Sequence, residues 1–239
     1  MIVLLRRKTI WGITLIGLGC VLMVISFIGP KPAVRTLAAV GAEKPHPILI
    51  WDAGHGGADG GAVSAGGVPE SGINLAIARD CYDLCLFFGQ NAAMTRTTDA
   101  SLADETALSL RRQKVSDTKN RVSMINGFDD AVLISIHQNS LPSAKSTHGA
   151  MVFYNDVPPA ALLGSSIQNA LNLAVNSKNE KQCREISKQI YIMAHAACPA
   201  VLVECGFMSN AAEAVQLQSP AYQAKLACTI LCGYLQCKG

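Results

Sequence analysis

Three short apolar runs of strand character each end in a side chain that can bind or serve a metal ion. Ile48-Leu49-Ile50-Trp51 leads into Asp52-Ala53-Gly54-His55-Gly56-Gly57, the run 131–136 ends on His137, and the run 199–203 ends on Glu204. In an open α/β sheet, ligands bind outside the carboxyl ends of parallel strands, so groups at three such ends converge on one site. Glu70, within Val68-Pro69-Glu70-Ser71-Gly72, stands just ahead of a helical pattern and is a fourth candidate. Two histidines, a carboxylate and a further glutamate are the parts of a hydrolytic zinc site. Three protein ligands leave a fourth position for water, whose pKa the metal lowers to about 7. A nearby glutamate can take that proton and pass it to a leaving amine.

Each residue has a competing reading. His55 lies among five glycines between Gly54 and Gly61, which invites comparison with a phosphate loop. The Lys-Ser/Thr ending of such a loop is missing, and the spacing does not match Gly-x-Gly-x-x-Gly. Glycine also lets a bulky ligand or a metal approach the backbone. His137 alone reads equally well as a satisfied histidine at a strand end, and its pairing with His55 favours a ligand. Glu70 alone is a favourable charge at a helix N-terminus. A carboxylate following Val201-Leu202-Val203 on a buried strand is costly without a partner, which singles out Glu204. His46 and His195 read as linker and helix-surface residues, and His148, between two candidate strands, is an alternative ligand.

The elements around these residues alternate. A helix from Ile73 to about Phe88 has apolar residues at 73, 77, 81, 84, 85 and 88 on one face, with Gly89 as terminator. A strand at 92–95, a helix at 109–126 and the strand at 131–136 follow, the last apolar but for Ser135, as a strand buried on both faces should be. A strand at 149–154, helices at 159–176 and 183–194, the strand at 200–203 and a helix at 220–236 complete the order. The pattern predicts one α/β domain over 47–239, a mostly parallel twisted sheet with helices on both faces.

Residues 1–30 differ in kind. Arg6, Arg7 and Lys8 precede Thr9 to Gly29, an uncharged stretch of 21 residues. At about 1.5 Å per residue it spans roughly 30 Å, the thickness of a bilayer's hydrocarbon core, longer than a secretory apolar region. It reads as a signal-anchor, with the basic residues cytoplasmic and the domain outside the membrane. Cleavage after Val40-Gly41-Ala42 is the alternative, and would release a secreted domain. Residues 31–46 read as a proline-bearing linker. Half the chain is hydrophobic, 15% is charged, and a scattered net charge of +3 excludes a nucleic-acid surface. The nine cysteines include no Cys-x-x-Cys pair, which argues against a thiolate zinc site. They read as small buried apolar side chains rather than disulfides.

Taken in order, Asp52-Ala53-Gly54-His55-Gly56-Gly57 with Asp59, then Glu70, Asn74-Leu75-Ala76, Thr95-Arg96, Arg121, Ser135-Ile136-His137-Gln138-Asn139 and Pro199 to Glu204 with Gly206-Phe207 and Ser209-Asn210 resemble the zinc-dependent N-acetylmuramoyl-L-alanine amidases of the type-3 amidase family, over about 47–237. The resemblance implies His55, Glu70 and His137 as zinc ligands, Glu204 as the catalytic glutamate and peptidoglycan as the substrate. Ala53, Ser71 and Cys205 replace the proline, lysine and threonine common there, and none is a ligand position. Only Gln138 to His148 separate His137 from the next strand, so the inhibitory helical insertion of some members is absent. The short anchored layout resembles the germination-specific branch, which acts on spore cortex so that muramic lactam can form. A regulatory protein partner stays open. Two readings outside the family also stay open, a cell-wall zinc carboxypeptidase and a membrane-tethered module that binds an anion without catalysis. The first lacks its usual His-x-x-Glu pair, since fourteen residues separate His55 from Glu70.

Protease added to intact protoplasts is expected to digest the domain, because the basic residues precede the span; full protection would contradict the orientation.

Overall fold

In a computed structural model that describes residues 47–237, six strands form one sheet. They are β1 (Ile48–Ala53), β2 (Ala92–Met94), β3 (Ala131–Asn139), β4 (Met151–Tyr154), β5 (Arg184–Glu185) and β6 (Ala200–Phe207), in the order β2-β1-β3-β6-β4-β5. β2, β1, β3 and β6 run parallel, while β4 is antiparallel to β6 and parallel to β5. The expected mostly parallel sheet is therefore present. Away from their carboxyl ends, its central strands are apolar on both faces because helices cover both. β1, β3 and β6 each run past the end read from sequence, to Ala53, Asn139 and Phe207. The register sets Asp52 beside Ser135 and His137 beside Glu204. Because side chains alternate along a strand, these four residues share one face.

Six helices cover the sheet: α1 (Glu70–Phe87), α2 (Leu110–Ile125), α3 (Ala160–Ala174), α4 (Tyr191–His195), α5 (Ala211–Leu217) and α6 (Pro220–Cys237). α1, α3 and α6 pack on one face around Trp51, Ile77, Ile134, Ile167, Val203 and Ile230. α2 and α4 pack on the other around Ile50, Ile125, Leu133, Met193 and Leu202. α6 approaches α3 closely at Gly233, where an added Cβ would lie 2.6 Å from the Cα of Ile167.

Three expectations need correction. The helix read at 183–194 is instead the edge strand β5 followed by the short α4. Cys183, Ile186, Ile190 and Met193 have helical spacing, but the backbone pairs with β4, and Ile186 N–H donates to the Tyr154 carbonyl at 2.8 Å. Tertiary pairing overrides the pattern. α5 was not foreseen, although Asn210 caps it, accepting from the N–H groups of Ala212 and Glu213; at seven residues it carries too little periodicity to notice. None of the eight described cysteines is joined in a disulfide. Cys81, Cys85 and Cys205 are buried as expected, but Cys228 and Cys232 are exposed on the outer side of α6. No helix among the described residues is long and apolar enough to cross a membrane; the anchor expected at 1–30 and the linker expected at 31–46 lie outside the described residues.

The sheet, α2 and the loop after β1 meet at one buried ion pair. Asp52 Oδ1 accepts from Arg121 Nη1 and from Thr95 Oγ1, both at 2.7 Å, and Oδ2 accepts from Ser135 Oγ at 2.6 Å. Arg121 also donates to the carbonyls of Ala53 (2.8 Å) and His55 (2.7 Å), and its Nε donates to Asp117 at 2.6 Å. Burial alone would raise the Asp52 pKa, but Arg121 and the two hydroxyls outweigh it and hold it at about 2. Removing one partner of such a pair leaves a buried charge uncompensated. Arg121→Met is therefore expected to cost about 3–5 kcal/mol in denaturant unfolding. Since the folded pKa of Asp52 lies below its ordinary 3.8, its contribution is full above that value and is lost as pH falls toward 2. This contribution is about 2 kcal/mol. Asp52→Asn should be less stable at neutral pH and should show a shallower loss of stability between about pH 4 and 2; an unchanged acid profile would contradict this role.

Candidate active site

The loop after β1 brings His55 to the cleft in an unusual backbone conformation. His55 has φ +62°, a left-handed value uncommon for a residue with a side chain. Backbone bonds between Gly56 and Asp59 close the turn at 2.9 and 3.2 Å, and Arg121 holds the His55 carbonyl. Two glycines make room for other side chains. A Cβ on Gly54 would overlap the His137 ring, and one on Gly61, at φ +69°, would strike the Glu70 carboxylate. Arg96 ties this loop to the start of α1, donating to the carbonyls of Ala53 (2.8 Å), Gly54 (3.0 Å) and Ser71 (2.8 Å).

Glu70 is the first residue of α1 and is buried. Its Oε1 lies 2.6 Å from His55 Nε2, and its Oε2 accepts from the Gln138 N–H at 2.8 Å. That N–H turns toward Glu70 where the β3–β6 register shifts between His137 and Asn139, a bulge of the kind that re-aims groups near functional sites. Gln138 Nε2 donates to Asn74 Oδ1 at 3.1 Å, and Asn74 Nδ2 donates to the Gly54 carbonyl at 3.2 Å. The glycine loop, α1 and β3 are thus fastened to one another around the carboxylate.

His55, Glu70 and His137 bring one ligand atom each to within 4.8 Å of one another, a group that could hold a metal ion. The imidazoles meet edge to face, with ring centroids 5.0 Å apart and planes at 77°. Two histidine nitrogens and a carboxylate oxygen form a donor set suited to zinc with an open fourth position, and the Gly54 and Gly61 cradle leaves space for the side chains that supply it. The surroundings tune these groups differently. Burial and the neighbouring His55 lower His137 to about 4, so it is neutral near pH 7 with a lone pair to offer. Burial also lowers His55, but Glu70 and Asp59 outweigh it and raise its pKa. Asp59 Oδ2 lies 2.9 Å from His55 Nδ1, and its Oδ1 pairs with Lys114 Nζ at 2.7 Å. Burial raises Asp59, but Lys114 and His55 outweigh it and bring it to about 2.

Glu204 stands beside His137 in register on the same face. Burial and the nearby Glu70, opposed by His55, push its carboxyl up to about 8. Its Oε2 is buried and has no hydrogen-bond partner. Both residues line a cleft of about 390 Å³. One wall is α2, with Lys114, Thr118 and Arg121, and the other is the segment Gln189 to Ile192. A larger depression of about 600 Å³ on another side of α2, lined by Arg111, Arg112 and Lys119, contains none of these site residues; the chemistry of the side chains, not volume, marks the site.

All four residues singled out from the sequence therefore lie together. His148 does not join them; it is exposed, with Nδ1 2.9 Å from the Ser146 carbonyl. His195 stacks on Tyr191 at 3.9 Å, on the helix that flanks the cleft. Lys114, Gln138 and Asn74 were not foreseen in these contacts. Asn74 and Gln138 stand in the motifs that carry the family resemblance and Lys114 lies two turns before Arg121, but neither kind of signal reveals a contact.

The family model of the N-acetylmuramoyl-L-alanine amidases, Amidase_3, matches residues 48–235. The germination-specific N-acetylmuramoyl-L-alanine amidase of Bacillus subtilis (strain 168) is 35% identical over 189 residues, 79% of this chain and 78% of that relative. The CwlD amidase of Clostridioides difficile, solved in complex with the GerS lipoprotein, has a TM-score of 0.77 at 32% identity, covering 81% of this chain and 98% of that one. AmiC2 of Nostoc punctiforme, an N-acetylmuramoyl-L-alanine amidase, has a TM-score of 0.68 at 25% identity, covering 80% and 96%. With a match across almost the whole described domain, the chain belongs to the type-3 N-acetylmuramoyl-L-alanine amidase family.

Proposed function

We propose that this amidase cleaves the amide between the lactyl group of N-acetylmuramic acid and the L-alanine of the stem peptide, with zinc held by His55, Glu70 and His137 and with Glu204 as general base and acid. The observation that carries this reading is the convergence of three donor atoms within 4.8 Å beside a buried Glu204 oxygen that has no partner. Zinc at that position supplies Lewis acidity to the scissile carbonyl and to an attacking water. His137, kept neutral by burial, offers its lone pair as a ligand. The bond from the Gln138 N–H holds the Glu70 carboxylate so that one oxygen stays turned toward His55. The free oxygen of Glu204 accepts the proton of the attacking water. Burial raises this carboxyl above the usual carboxylate range, which makes Glu204 a stronger base for that proton, and the proton then passes to the departing alanine amine. The cleft walls orient the stem peptide and glycan across these groups.

The natural substrate in this proposal is spore-cortex peptidoglycan, cleaved so that muramic lactam can form. Support comes from the germination-specific relative in Bacillus subtilis and from the CwlD structure. A lipoprotein partner is part of the same reading, since the CwlD relative was solved with one. Residues 1–30 anchor the chain to the membrane, with the catalytic domain outside it; the support is the basic, then apolar, order of that segment.

Two measurements check this account. In purified chain, His55→Ala or His137→Ala should remove most of the bound zinc, whereas Glu204→Gln should keep zinc and lose about 10²–10⁴-fold in turnover. A Glu204→Gln chain that loses its metal would make Glu204 a ligand instead. Digestion of purified sacculi should release stem peptides with free L-alanine N-termini and leave the glycan uncut. New reducing ends, or released D-alanine, would contradict the assigned bond.

A further inference from the structure

We propose that Lys114 is a positioning residue for the metal site, acting through Asp59 on His55, so that α2 grips this one ligand at both its backbone and its ring. The inference rests on the reading of His55 as a metal ligand. Lys114 and Arg121 are seven residues apart, close to two helical turns, and so project from one stripe of α2. Arg121 Nη2 donates to the His55 carbonyl at 2.7 Å. Lys114 Nζ contacts Asp59 Oδ1 at 2.7 Å, and Asp59 Oδ2 lies 2.9 Å from His55 Nδ1. The ring thus has its Nδ1 engaged by a carboxylate while Nε2 is turned to Glu70, the arrangement by which an outer carboxylate fixes the orientation and tautomer of a metal-binding histidine.

The backbone of His55 makes this support necessary. At φ +62° the residue sits where side-chain-bearing residues rarely rest unless their surroundings hold them. Asp59 Oδ1 has one other polar contact, the Gly61 N–H at 3.1 Å. Lys114 is therefore the group that fixes the carboxylate from the cleft side. Its side chain is 47% exposed and that of Asp59 is 20% exposed, so the pair itself adds little to fold stability. Its effect lies in orientation.

Position and charge predict opposite signs. A lysine cation near a dication repels it, so a purely coulombic Lys114 would make zinc bind more tightly once removed. A positioning Lys114 makes zinc bind more weakly once removed. Zinc dissociation constants of the full chain, measured by competition with a chromophoric chelator, separate the two, and the absorption spectrum of the cobalt-substituted protein reports ligand geometry without any assay of turnover. Asp59→Asn should weaken zinc about 10–100-fold. Lys114→Met, which keeps the aliphatic stem, should weaken it by roughly tenfold, the lower end of that range, and should alter the cobalt spectrum. Lys114→Arg should restore both. Adding Lys114→Met to Asp59→Asn should cause no further loss, because the lysine acts through the aspartate. Zinc binding unchanged or tightened by Lys114→Met, or an equal loss in the Asp59→Asn background, overturns the proposal. If His55→Ala loses zinc and Lys114→Met does not, this inference alone fails; if His55→Ala keeps its zinc, the metal-site reading fails with it.

Discussion

The guanidinium of Arg121 joins the parts of this domain that must stay in register for the site to exist. It neutralises Asp52 inside the sheet and holds the carbonyls of Ala53 and His55 at 2.8 and 2.7 Å. β1 would otherwise end in a charged aspartate buried under α2, an arrangement that costs several kcal/mol when unpaired. With Arg121 in place, the same charge becomes the anchor for the loop that carries His55. The ion pair is thus less a source of net stability than a device that fixes where the loop leaves the strand. Arg96 does the equivalent from the side of β2, linking the loop to the first turn of α1. The site is assembled from four chain segments, and these two arginines connect two of them, the β1 loop and the start of α1, to the framework.

Within that frame, small differences in surroundings give like residues unlike properties. His137 is held low by burial and by the other imidazole, whereas His55 is raised by the carboxylates on both of its nitrogens. Glu204 is raised by burial and by Glu70, and, unlike Glu70, it has no backbone N–H reaching its buried oxygen. One glutamate is therefore fastened and the other left free, which is the division of labour expected between a ligand and a proton carrier.

The sequence makes the site legible where the physics is local to a strand end. His55, His137 and Glu204 each follow an apolar run, and parallel strands gather their carboxyl ends, so their convergence is readable before any coordinates. Glu70 is not readable in that way, since a glutamate opening a helix has an ordinary explanation as a favourable charge; the order and spacing of the surrounding motifs are what point to it. The supporting contacts lie beyond reach for a different reason. Asp52 and Arg121 are 69 residues apart, and nothing in the spacing of either announces the other. The false helix at 183–194 shows the converse, because Cys183, Ile186, Ile190 and Met193 satisfy a helical period while the exposed edge of β4 offers hydrogen bonds that an extended segment takes instead. Of these four only Met193 is buried, and Ile190 is 41% exposed, so at a sheet edge a helical period in the sequence reports neither the backbone nor the burial.

In the proposed function a site of nitrogen and oxygen donors, rather than any of the nine cysteines, holds the metal. X-ray absorption at the zinc edge of the loaded chain tests it most directly. The expected result is a first shell of only nitrogen and oxygen at about 2.0–2.1 Å, with the outer-shell scattering of two imidazoles. A sulfur shell at about 2.3 Å would place the metal on cysteine and contradict it.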